Sequence, residues 1–74
     1  MQILVRIEVV GGMPQPYKPD TYCFVLPRVG EIQKYYYDAG LGKELGIAQG
    51  SVQYVVHPPE ASEERIILVL GYHS

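Results

Sequence analysis

The chain predicts a small all-β domain of five strands, on three observations. Apolar residues recur at a two-residue period, Gly and Pro clusters cut the chain into short segments, and no segment carries a sustained helical stripe. Residues 52–72 (VQYVVHPPEASEERIILVLGY) read as two strands joined by a polar loop, and the second of them is the most apolar run in the protein. The rest of the chain is expected to organise around that hairpin.

Residues 2–10 (QILVRIEVV) put Ile3, Val5, Ile7 and Val9 on one face and Gln2, Arg6 and Glu8 on the other. That pattern is a strand with one buried face, ended by Gly11-Gly12. Residues 13–20 (MPQPYKPD) hold three prolines in eight positions. Each removes a backbone donor and biases the residue before it towards extended geometry, so a stiff, irregular connection follows. It displays Tyr17, Lys18 and Asp20 and reads equally as a recognition loop or as a pinned connection.

Residues 21–26 (TYCFVL) form a second strand. Tyr22, Phe24 and Leu26 oppose Thr21, Cys23 and Val25, and both faces are apolar enough to predict an interior strand or one covered on both sides. Residues 27–32 turn into a third strand over residues 31–37 (EIQKYYY), with Ile32, Lys34 and Tyr36 against Gln33, Tyr35 and Tyr37. A helix over residues 31–39 would end within three turns at Gly40 and Gly42, and Tyr is a mediocre helix former, so the strand is preferred.

Residues 38–51 (DAGLGKELGIAQGS) carry four glycines and predict a long Gly-rich loop before strand 4. One short helical turn near Lys43 fits within it, and Leu41, Leu45 and Ile47 suggest that it folds back over the domain. Residues 52–57 are the fourth strand, stopped by Pro58-Pro59. Residues 65–72 are the fifth, with Ile66, Leu68 and Leu70 facing the core and Ile67 and Val69 facing away.

The stretch Val25-Leu26-Pro27-Arg28-Val29-Gly30-Glu31-Ile32, followed by Tyr54-Val55-Val56-His57, resembles what small SH3-like barrel proteins of bacteria and phages carry. The order of long first loop, central meander and short final strand fits the same likeness. It implies a five-stranded barrel and no specific activity, because SH3-like folds host peptide binding, nucleic-acid binding and assembly alike.

Seventy-four residues make one domain near the lower limit of independent folding, where disulfides, metals or partner subunits usually add stability. Cys23 is the only cysteine, which rules out an intrachain disulfide and points to a reducing, cytoplasmic setting. Six basic against eight acidic residues argue against duplex nucleic acid as the main partner. No run is long enough to span a bilayer as a helix, and residues 1–10 lack the features of a signal peptide.

Chemistry-bearing motifs fail on spacing. Gly40-Leu41-Gly42-Lys43 has Tyr37 and Glu44 where a phosphate loop needs glycine and a hydroxyl, and Leu45 where a dinucleotide motif needs its third glycine. A loose anion nest of these amides with Lys43 remains open. Cys23 with His57 is a weak nucleophile–base pair, because a thiol among apolar neighbours is usually inert. His57, Glu60, Glu63, Glu64 and His73 lack the tight spacing of a zinc site. No enzyme, cofactor or metal is therefore expected.

Two functional readings remain. The preferred one is a non-enzymatic interaction or assembly protein whose expected partners are itself and another protein. Its motive is the outward set Val55, Ile67 and Val69, whose exposure wastes apolar area and invites association. The alternative is a binder of a small anionic ligand or nucleotide. It would use Tyr17, Arg28, Lys34, Tyr35, Tyr37 and Lys43, with neighbouring phenols stacking a ring and the cations holding its charge.

Overall fold

The computed structural model describes residues 2–40, 42–62 and 64–72, and among them there is no helix. The strands are β1 (Ile3–Val9), β2 (Asp20–Cys23), β3 (Ile32–Asp38), β4 (Leu45–Val56) and β5 (Ile66–Gly71). They form one sheet in the order β2-β1-β5-β4-β3, curled into a half-barrel. β1 and β5 lie side by side in parallel, and every other pairing is antiparallel. Consecutive antiparallel strands run from β3 to β5, while β2 and β3 take opposite edges.

The predicted alternation sets the core. Val5 and Ile7 from β1, Leu68 and Leu70 from β5, Val52 from β4 and Tyr35 from β3 are buried, together with Met13 from the Pro-rich segment. β5, central in the sheet, delivers Leu68 and Leu70 inward while Ile67 and Val69 lie on the convex outer face, half-buried.

Three expectations are corrected. β2 is an edge strand that ends at Cys23, not an interior strand reaching Leu26. Phe24 and Val25 beyond it are 74% and 80% exposed. Thr21 and Cys23 do face inward, and Cys23 packs on the core, but the sheet supplies nothing to cover the outward side.

The second correction concerns residues 38–51, because 45–51 are strand. Register explains why: on the inner face Tyr37 lies opposite Gly46, Tyr35 opposite Ala48 and Gln33 opposite Gly50. Large residues of β3 thus face small ones of β4. A Cβ on Gly46 would stand 2.5 Å from the Tyr37 ring, and one on Gly50 would stand 2.8 Å from both the Gly71 carbonyl oxygen and Met13 Cε. These glycines make room for neighbours inside a strand and do not mark a loop. The remaining turn is tied by Asp38, whose Oδ1 accepts the Gly40 and Gly42 amides at 3.1 and 2.7 Å.

The third correction is a β-bulge. Register shifts between Val52 and Tyr54, so Val52 and Val55 both point inward across the unpaired Gln53. Val55 packs against the core, and Tyr54 and Val56 replace it on the outer face.

The Pro-rich segment spans the mouth of the half-barrel. The Ile7 amide donates to the Pro19 carbonyl at 2.8 Å, and the Tyr17 amide donates to the Tyr36 carbonyl at 2.8 Å. Pro16 forms a bridge with Tyr37. One strap is therefore tied to β1 and to the far edge of β3, and it covers the C-terminal half of that edge.

Candidate functional site

A groove of about 420 Å³ opens between the Pro-rich strap and β3. Its geometry follows from the strap: Tyr17 is hydrogen-bonded to β3, and the chain then turns towards β1, where Pro19 is held. The opening left between them is floored by Ile7 and Tyr35. Tyr17 and Lys18 line it from the strap, and Lys34, Tyr36 and Ile47 line it from β3 and β4.

Tyr35 is the fixed element. Its ring is buried and its hydroxyl donates to the Pro14 carbonyl at 2.8 Å. Burial first, and the nearby Tyr72 and Tyr37 phenols second, push its pKa above the ordinary 10.0. A raised folded pKa means stability that is present below the unfolded value and lost as pH rises through the folded one. Tyr35→Phe is expected to cost about 1 kcal/mol at neutral pH, for the lost hydrogen bond. That difference should shrink as pH climbs past about 10, because the wild type alone carries this group's titration. Thermal unfolding of both proteins across that range checks it, and a gap constant with pH contradicts it.

The structure gathers only part of the expected ligand set. Tyr17, Lys34 and Tyr35 come together in the groove, joined by Lys18 and Tyr36. Tyr37 faces inward over Gly46 and is half-buried. Arg28 sits in the turn before β3, where its amide donates to Glu31 Oε1 at 2.6 Å. Lys43 lies in the β3–β4 turn, outside the groove lining. The anion nest expected there has its Gly40 and Gly42 amides occupied by Asp38 of the same chain.

Asp20, at the groove's edge, is bracketed by Arg6 at 3.3 Å and Arg65 at 3.6 Å. These are exposed pairs worth about 0–1 kcal/mol each. Lys18 and Lys34 form no ion pair among the described residues. Cys23 on β2 and His57 after β4 are separated in the sheet by β1 and β5. No group of three or more His, Cys, Asp or Glu gathers among the described residues, and Glu63 and His73 of the weak metal set lie outside them. No helix among the described residues is long and apolar enough to cross a membrane.

A second surface lies on the convex outer face. Tyr54 pairs with Val69 and Val56 with Ile67, so the four side chains form a contiguous apolar block across β4 and β5. Tyr54 is 66% exposed. On the adjacent β1, Arg6 stands beside Ile67 and Glu8 beside Val69. Sequence reasoning missed Tyr54 and Val56 because strict alternation hides a bulge. Gln53, a polar residue inside an otherwise apolar run, is the one local signal of it.

Comparison with protein-family models, with curated proteins and with solved structures found no significant match for this chain.

Proposed function

We propose that this chain is a non-enzymatic interaction or assembly protein that associates with copies of itself through the outer face of β4 and β5. The observation that carries this reading is the apolar block Tyr54, Val56, Ile67 and Val69, placed side by side by register rather than scattered. Charge complementarity favours a second copy as the occupant. Arg6 and Glu8 flank the block on one edge, and a two-fold axis lying in the interface and running across the strands sets Arg6 of one copy opposite Glu8 of the other.

The amount of surface supports the same reading. A compact monomer of 8.3 kDa exposes about 4,600 Å² by the usual size scaling. This chain exposes 5510 Å². The excess reflects an open, curled sheet whose outer face is left uncovered within one chain. A second apolar exposure at Phe24, Val25 and Val29 sits on an irregular segment, where no register makes it a flat face. A likeness to SH3-like barrels is compatible with an assembly role and does not single it out.

Association that requires the folded chain stabilises it by mass action. The midpoint of thermal unfolding is therefore expected to rise with protein concentration over the micromolar range. A midpoint independent of concentration contradicts the proposal.

A further inference from the structure

We propose that the groove between the Pro-rich strap and β3 binds one nucleotide, its base stacked on Tyr17 and Tyr36 and its phosphates held by Lys18 and Lys34. The site is separate from the self-association face and stands whether or not that face is used.

Register places the aromatic side chains of the site. The Pro16–Tyr37 bridge sets Tyr17 directly across from Tyr36, and Tyr36 is itself paired with Ile47. The strap, β3 and β4 therefore bring Tyr17, Tyr36 and Ile47 side by side. Tyr36 is 59% and Ile47 65% exposed. A row of flat, exposed rings backed by an aliphatic side chain is the surface on which bases stack, at about 1–3 kcal/mol per base.

Charge then narrows the ligand. The protein is acidic overall, at −2, yet the two lysines of this groove are without an ion-pair partner among the described residues. Lys34 lies two residues from Tyr36 on the same face of β3, and Lys18 follows Tyr17. Asp20, the acidic residue in the groove lining, is already met by two arginines. An aromatic row with two free ammonium groups at one end matches a base with phosphates attached.

Size separates a nucleotide from a polynucleotide. About 420 Å³ falls in the range of small-molecule pockets. A polynucleotide gains affinity by neutralising a phosphate at each step, and two lysines in a net-acidic protein offer no such track. Tyr35 completes the site as a rigid floor, since its hydroxyl is committed to Pro14 and does not compete for ligand.

The test is a titration of the isotopically labelled full chain with ATP, GTP, CTP and UTP, read by amide chemical shifts. Adenosine, tripolyphosphate and a uridine hexanucleotide serve as separate arms. At least one nucleotide is expected to shift the amides of Tyr17, Lys18, Lys34 and Tyr36 saturably, with adenosine and tripolyphosphate each binding at least tenfold more weakly. Lys34→Glu and Tyr36→Ala should each weaken binding tenfold or more. Both side chains are exposed, so the remaining spectrum of each variant should stay that of the folded protein. The proposal is overturned if no nucleotide gives saturable shifts, or if the two substitutions leave binding unchanged. It is overturned equally if tripolyphosphate binds as well as the nucleotides, which would mark a mere anion site, or if the hexanucleotide binds more than tenfold tighter than any of them. Native mass is read independently, so failure here leaves the self-association reading intact.

Discussion

Gly50→Ala is expected to destabilise the chain by about 1–3 kcal/mol, the usual cost of forcing an extra methyl into a packed site. The added Cβ would stand 2.8 Å from the Gly71 carbonyl oxygen, 2.8 Å from Met13 Cε and 3.1 Å from Leu70 Cβ. The first of these is backbone of the central strand, which is held on both sides and cannot swing away. Total stability for a chain of this length is about 4–11 kcal/mol, so the loss is a large share of it. Gly46→Ala is the internal control. Its Cβ also meets a neighbour too closely, but that neighbour is the far end of the Tyr37 side chain, which can swing aside about its Cα–Cβ bond. Removing a glycine from a strand otherwise stabilises it by about 0.5–1 kcal/mol, so this variant should come out near neutral. Urea unfolding of the two variants checks the ranking. If Gly50→Ala is as stable as wild type, the packing of β4 against β5 described above is wrong.

That pair of glycines also shows where sequence reading reaches and where it stops. The alternations in β1 and β5 announced their strands and inner faces correctly, because a half-buried strand writes its burial into a two-residue period. Ile32 to Tyr37 likewise sorted into the observed faces. Residues 45–51 did not, since Gly46, Ala48 and Gly50 carry no hydrophobic signal of their own. Their meaning lies in Tyr37, Tyr35 and Gln33 across the ladder, and that pairing is invisible until the register is known. The period of two in small residues was nevertheless present. Val55 was misplaced for a different reason, because one extra residue in a bulge inverts every later face. The groove was half legible. Tyr17, Lys34 and Tyr35 were named from composition, but Lys18 and Tyr36 join them only because the strap ties Tyr17 to Tyr36.

The second large effect concerns the outer face. Val69→Lys is expected to raise the self-dissociation constant by about 100-fold, or about 2.8 kcal/mol. A lysine there must be desolvated within the apolar block, and each copy brings one. Within a single chain the substitution is mild, because Glu8 stands beside position 69 on β1 and offers the ammonium a partner. Tyr54→Ala tests the same face with no charge added. Tyrosine is enriched among the few residues that dominate interfaces, whose truncation costs about 2 kcal/mol or more. Its side chain is mostly exposed in the single chain, so the monomer should fold unchanged.

Sedimentation equilibrium on the unaltered chain at high micromolar concentration measures the central claim directly. A mass of at least twice the 8.3 kDa chain is expected, falling towards one chain in Val69→Lys. A wild-type mass that stays at one chain throughout would contradict it.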